Sequence, residues 1–242
     1  MNTCKKIVYT ACLLGTVVLA GCDDFLTPEN KSSVTDIEYF ATASGFQSLV
    51  NDAYSGLKTI YNNSNVCVYF NAGTDLYHDG RNDINAALHR WQNFTPENSI
   101  VKEFYTDCYK GIRSCLAIQY YASVANVSDD VKQKAIDEGR FVEALYYYLL
   151  VNNYGGVPLV TEYASTVVEG YPRATAEQVY NYIINELQGV ISNNKLAAST
   201  ATKGGGEASI ESAKALLAKT YLSAAWDLNK VEYFREAAKY AD

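Results

Sequence analysis

The stretch SDDVKQKAIDEGRFVEALYYYLLVNNYGGVP, residues 128–158, decides the fold class. Ser128 is a favoured N-cap residue, and Asp129 and Asp130 follow it where the positive end of a helix macrodipole favours acids. Helix capping accounts for these two carboxylates better than paired acid–base catalysis does. Phe141, Ala144, Leu145, Tyr148 and Leu149 recur at three- and four-residue spacings and mark the apolar face of a helix running to about Asn153. Tyr154-Gly155-Gly156-Val157-Pro158 then ends it, with glycine at the C-cap and proline just beyond.

The same period extends outward in both directions. Toward the N-terminus, Thr95-Pro96-Glu97 reads as a helix start, and a helix is expected from about Ser99 to Ala125. Before it, Phe46, Leu49, Val50, Ala53, Leu57, Ile60 and Tyr61 mark another helix. Toward the C-terminus, Leu159 to Tyr163 suits a short extended piece. Thr175 caps a helix carrying Val179, Ile183, Leu187 and Val190, and Ser209 starts one carrying Ala213, Leu216, Leu217 and Tyr221. Residues 199–207, with Gly204-Gly205-Gly206, read as a flexible connection. A last pattern, Tyr233, Ala237, Ala238 and Ala241, stops at Asp242 with its helix barely begun, as expected of a truncated chain.

These patterns specify an all-α chain of helical hairpins. The alternation of alanine with large apolar residues over 213–222 and 237–241 suits degenerate tetratricopeptide-like repeats, without a clean 34-residue period. Residues 63–97 are polar and rich in Asn, Asp and Gly, and read as a long irregular excursion. Loops of that length in compact domains are often functional.

Composition narrows the class. The 242 residues are 48% hydrophobic and 19% charged, which supports a packed core and argues against disorder. The net charge of −7 lacks the basic footprint of a nucleic-acid binder. The 21 tyrosines suit helical cores and binding surfaces alike, so composition leaves their role open.

The first residues specify a compartment. Lys5 and Lys6 form a positive n-region, and Ile7 to Leu19 a mostly apolar stretch of 13 residues. That is short of the ~20 residues needed to span a bilayer core. Leu19-Ala20-Gly21-Cys22 is a lipobox, so residues 1–21 read as a lipoprotein signal peptide and Cys22 as the lipidated residue. Cleavage removes Lys5 and Lys6 and takes the charge from −7 to −9. Residues 22–42 read as the lipidated N-terminus and tether, and 43–242 as the folded domain. Of the remaining thiols, Cys108 and Cys115 are separated by ~10.5 Å along a helix, beyond the ~7 Å limit for a disulfide, and are expected to be buried and free. Cys67 could pair with either of them, although free buried thiols are the expectation for all three.

Catalytic motifs are absent from the sequence. His78 and His89 form no HExxH, and no CxxC or GxSxG occurs. Gly204-Gly205-Gly206 lacks the Lys-Ser/Thr of a phosphate-binding loop. The chain is therefore expected to be no enzyme and to need no metal or cofactor. The stretch Asp75-Leu76-Tyr77-His78-Asp79-Gly80-Arg81-Asn82-Asp83, with Trp91 after it, packs donors and acceptors beside an indole. Carbohydrate recognition uses that mix: a ring face against the C–H face of a sugar, and polar groups on its hydroxyls. A solvated loop with a half-buried Trp fits the same residues.

Several segments together resemble the SusD/RagB-type outer-membrane lipoproteins of Bacteroidetes. They are Cys22-Asp23-Asp24-Phe25-Leu26, Leu88 to Asn98, Phe104 to Cys115, Gly139 to Leu159, Arg173 to Tyr180 and Gly206 to Leu222. The resemblance implies a helical fold with tetratricopeptide-like pairs. It also implies a surface lipoprotein, anchored at the outer membrane by Cys22 and facing the exterior, that captures oligosaccharide for a SusC-like TonB-dependent transporter. It implies a chain that is the N-terminal half of a longer protein. Family members place N-terminal ligand contacts in the 75–91 excursion, which makes Asp75, Arg81, Asn82 and Trp91 the ligand-binding candidates. The rivals are a helical-repeat lipoprotein that binds only a protein partner, a nonfunctional fragment, and a glycoside hydrolase, which needs a carboxylate pair that the sequence does not mark.

Overall fold

Ser128 caps its helix as expected. Its side chain accepts from the Val131 amide, and the helix Asp129–Tyr154 ends at Gly155, whose φ of 68° is the left-handed turn that favours glycine. The structure is a computed structural model. It describes residues 36–62, 68–76, 86–198 and 206–241, which lie within one compact unit, Asp36–Asp242. Among the described residues the helices whose two ends are seen are, in order, α1 Asp36–Ala41, α2 Ala43–Ile60, α3 Ala86–His89, α4 Ser99–Ala122, α5 Asp129–Tyr154, α6 Ala176–Asn193, α7 Ile210–Asp227 and α8 Val231–Ala241. The described residues contain no regular strand. The extended piece expected over Leu159 to Tyr163 forms no strand. Two isolated bridges occur instead of regular strands, Pro158 with Arg173 and Ala197 with Ser209.

The other helix starts are also built by local side chains. Thr175 and Ser209 each close a reciprocal capping box, with Gln178 and Ser212 respectively. Asn98, not the Thr95-Pro96-Glu97 turn, caps α4 by accepting from Ile100 and Val101. Residues 36–41, expected within the tether, form α1, and Thr42 caps α2. The signal peptide, Cys22, Cys67 and most of the 199–207 connection lie outside the described residues.

Consecutive long helices pack on one another in sequence, α4 on α5, α5 on α6, α6 on α7 and α7 on α8, and α2 covers α4. The pairs run antiparallel. Asp137, Arg140 and Glu143 of α5 meet Asn193, Glu186 and Tyr182 of α6, in descending order along the partner. Tyr180 of α6 donates to Asp227 of α7, and Gln188 donates to Tyr221. These antiparallel pairs are the tetratricopeptide-like hairpins the alternation of small and large residues specifies.

Helix α5 differs from its expected one-sided face. Val142, Ala144, Tyr146, Tyr147 and Leu150 are fully buried, whereas Phe141, Leu145 and Tyr148 are only partly so. The reason is position: α2, α4, α6 and α7 all pack on α5, so it is enclosed from several sides. At the other end of the array, α8 packs mainly on α7. Ala237 is buried, but Ala238 and Ala241 line an open apolar groove with Ala218, Leu222 and Phe234.

The tyrosines tie the helices together. Tyr154 Oη donates to the Val101 carbonyl (2.6 Å), Tyr109 Oη to that of Pro158 (2.7 Å) and Tyr182 Oη to Glu143 (2.6 Å). Each joins elements distant in sequence. A hydroxyl paired in this way keeps a large apolar ring in the core without an orphaned polar group.

The Gly139-Arg140-Phe141-Val142-Glu143 segment is a structural lock. A Cβ at Gly139 would stand 3.1 Å from Ile118, so α4 and α5 approach closely there. Arg140 lies across Gly189 of α6 to reach Glu186 at 2.5 Å, with Asp137 at 3.8 Å. Glu143 is wholly buried and accepts from Tyr182 and from Gln119 Nε2 (3.3 Å). Burial lifts its carboxyl from 4.5 to about 8. Beyond the helix, Arg173 returns to donate to the carbonyls of Gly156 (2.6 Å) and Tyr154 (2.9 Å), the latter a terminal acceptor of α5. Cys108 and Cys115 are free and buried, as expected.

Candidate functional site

Trp91 lies two residues beyond α3 and has φ of 56°; Asn93 has φ of 51°. Left-handed backbone at non-glycine residues is uncommon and costs about 1–3 kcal/mol, so it persists only where surrounding structure enforces it. Trp91 stands 64% exposed in this segment. Gly73, itself at φ of 82°, backs onto that ring: a Cβ there would stand 2.7 Å from Trp91 Cζ2 and 3.0 Å from the Leu88 carbonyl. The two described parts of the excursion, 68–76 and 86–97, therefore meet at Gly73 and Trp91.

Below this junction is a cleft of about 270 Å³, lined by Tyr69, Leu88, Trp91, Phe94, Phe104 and Tyr154 among others. Trp91 and Phe94 meet edge to face, with centroids 5.6 Å apart. Tyr69 lies 4.8 Å from Phe104, which sits 6.3 Å from Tyr154. The floor is rigid because α4 supplies Ile100, Val101 and Phe104, and Tyr154 at the end of α5 is tied to α4 through its hydroxyl. Burial, with Asp107 and Glu103 nearby, raises the Tyr69 hydroxyl above its ordinary value, so it stays protonated and able to donate at neutral pH. The arrangement offers ring faces to C–H surfaces and hydroxyls to polar groups.

The expected site residues fall unevenly. Trp91 forms the cleft rim. Asp75 is exposed in the turn after Gly73, beside the cleft and not in its lining. The turn is held by Thr74, which donates to the Asn71 carbonyl through both its amide (3.2 Å) and its hydroxyl (2.7 Å). Arg81 and Asn82 lie outside the described residues. Sequence reasoning missed Tyr69, Phe94 and Tyr154. The only available signal was their aromatic character, because three separate segments bring them together.

Comparison with protein families brings a match to a SusD-like model, described as "Starch-binding associating with outer membrane", over residues 24–222. The chain belongs to the SusD-like family. Solved structures share its SusD-like fold. A SusD superfamily protein from Parabacteroides distasonis matches with a TM-score of 0.69 and 26% identity, over 81% of this chain and 43% of that one. A SusD homolog from Bacteroides thetaiotaomicron gives a TM-score of 0.71 at 22% identity, over 85% and 41%. Surface glycan-binding protein A from the same organism, solved in complex with laminarihexaose, gives 0.62 at 19% identity, over 82% and 42%. The SusD-like chain thus spans about two fifths of the length of these structures. No curated protein matches it. Among its described residues, no helix is long and apolar enough to cross a membrane.

Proposed function

We propose that this protein is a surface glycan-binding lipoprotein that captures an oligosaccharide and passes it to a SusC-like TonB-dependent transporter. The observation that carries the reading is Trp91, held in a strained backbone conformation with its indole exposed on the rim of an aromatic cleft. An exposed ring with rigid support is the form of a stacking platform for a sugar face. Membership of a family described as starch-binding supports the ligand class. So does the fold shared with a glycan-binding protein solved with laminarihexaose. Asp75, Arg81 and Asn82, on the excursion that leads to Trp91, are the groups proposed to read the sugar hydroxyls.

The anchor is Cys22. The lipobox ends there, and the family match begins at residue 24, just beyond it. A diacylglyceryl group with a further acyl chain holds a protein stably, where one chain does not. Binding, not bond cleavage, is the proposed chemistry.

Calorimetric titration of the intact native protein with maltohexaose and laminarihexaose tests this reading. The expected result is saturable binding of at least one, weakened at least ~tenfold by Trp91→Ala, the cost of losing an aromatic anchor. Trp226 is also exposed but lines no such cleft, and Trp226→Ala is expected to bind as the wild type does. Equal affinity in the wild type and Trp91→Ala would sink the assignment.

A further inference from the structure

Between Tyr154 and Thr175 the chain runs without helix or strand. Stretches of that length inside a compact domain are uncommon and usually functional. Both ends of this one are pinned. Tyr147 Oη accepts from the Val160 amide (2.7 Å) and donates to the Val160 carbonyl (3.0 Å). Tyr109 holds Pro158, and Arg173 holds Gly156 and Tyr154. The middle of the stretch crosses α4 and walls a cleft of about 250 Å³ with Tyr109, Ile112, Arg113 and Leu116.

We infer that this cleft is a second carbohydrate subsite, which extends the Trp91 cleft along α4 so that the protein binds a chain of several sugars. The inference rests on the glycan-binding reading above and adds to it the length of ligand that is read.

The lining has the chemistry a sugar requires. Tyr171 exposes its ring, and Val167 and Val168 are exposed beside it, giving apolar surface for a C–H face. Arg113 donates to Tyr163 Oη (3.3 Å) and its guanidinium stacks 5.3 Å over the Tyr163 ring. That contact orients its other N–H groups in advance. Glu162 supplies acceptors and Thr166 a hydroxyl. Donors, acceptors and an aromatic face thus share one cleft, as they do near Trp91.

The two clefts are joined by one helix. The Trp91 cleft touches α4 at Ile100, Val101 and Phe104, and the second at Tyr109, Ile112, Arg113 and Leu116. The separation is ~15 Å at the helical rise. Val101, Tyr105, Tyr109 and Ile112 follow one another at four- and three-residue steps, which keeps them near one side of the helix. Rings fill the interval: Tyr154 is 5.1 Å from Tyr105, and Tyr105 is 4.8 Å from Tyr109. A linear chain of several linked sugars spans such a distance and a disaccharide does not.

The test uses the intact native protein and two glucan series, maltose to maltoheptaose and laminaribiose to laminariheptaose, by calorimetric titration. Tyr171→Ala and Glu162→Gln are exposed-loop variants outside the core, and circular dichroism checks their folding. In the series that binds, wild-type affinity is expected to rise with length. Tyr171→Ala and Glu162→Gln should lower heptasaccharide affinity about tenfold or more, toward that of the trisaccharide, and leave trisaccharide affinity unchanged. Heptasaccharide affinity equal to the wild type in both variants overturns the second subsite while leaving the Trp91 site standing. So does an equal loss for short and long ligands. Failure of the wild type to bind any member of either series overturns the glycan reading and the subsite with it.

Discussion

Replacing Gly56 by alanine tests how α2, α4 and α5 are keyed together. Tyr146 of α5 is fully buried, and its ring enters between Gly56 of α2 and Gly111 of α4. A Cβ on Gly56 would meet the Tyr146 hydroxyl oxygen at 2.5 Å, with Cζ at an ordinary 3.6 Å. A Cβ on Gly111 would meet Cζ at 2.1 Å and Cε2 at 2.3 Å, the body of the ring. Glycine to alanine within a helix otherwise gains about 0.8–1.0 kcal/mol. Overpacking costs about 1–3 kcal/mol, so Gly56→Ala is expected to lose ~0–2 kcal/mol net. Tyr146→Phe removes both the offending oxygen and a long hydrogen bond to the Ala53 carbonyl (3.3 Å), the latter worth about 0.5–1.5 kcal/mol. The Gly56→Ala/Tyr146→Phe double variant should therefore be more stable than the two single changes add to, by ~1–3 kcal/mol. Gly111→Ala/Tyr146→Phe should stay strongly destabilised, because the ring carbons still clash. Urea denaturation followed by circular dichroism gives each midpoint and slope. A Gly56–Tyr146 coupling below ~0.5 kcal/mol would refute the packing, as would equal rescue of Gly111→Ala.

Three further outcomes are expected, two from the structure and one from the lipobox. The Glu143 carboxyl, raised to about 8, makes a stability contribution that is full below pH 4.5, falls as pH rises and is lost above 8. Its upper limit is ~4–5 kcal/mol; Glu143→Gln should flatten the fall in melting temperature between pH 5 and 9, and an unchanged profile would remove Glu143 as its source. Arg173→Ala should cost ~1–3 kcal/mol and speed amide exchange in the stretch between Tyr154 and Thr175, because two carbonyls lose a charged donor; unaltered exchange there would contradict the pinning role. Cys22→Ser should move the protein from the membrane to the soluble fraction and remove the acyl mass from the intact protein, and continued membrane retention would point to another anchor.

Much of the helical framework is legible in the sequence because caps are local. Ser128, Thr175 and Ser209 act within four residues of themselves, so their helices begin where the residues say. The enclosure of α5 is not legible. Tyr146 and Tyr147 lie outside the apolar face read from the spacing, and only the packing of four other helices on α5 shows why both are fully buried. The same holds for the tyrosine hydroxyls, whose partners at Val101, Pro158 and Val160 belong to other elements. Trp91 stands out in sequence as an indole after a polar run. Its partners Tyr69, Phe94 and Tyr154 do not, since the cleft exists only once 68–76, 86–97 and the end of α5 meet. The stretch carrying Tyr163 and Tyr171 reads in sequence only as a short extended piece over Leu159 to Tyr163, because the α4 residues that make it one wall of a cleft lie some fifty residues away.

The most direct test of the account is a crystal structure of the intact native protein with the tightest-binding oligosaccharide from the glucan panel. The account predicts a sugar ring lying face to face on the Trp91 indole, with the chain running over the aromatic cleft toward α4. An oligosaccharide bound elsewhere, with the Trp91 indole bare, would contradict it.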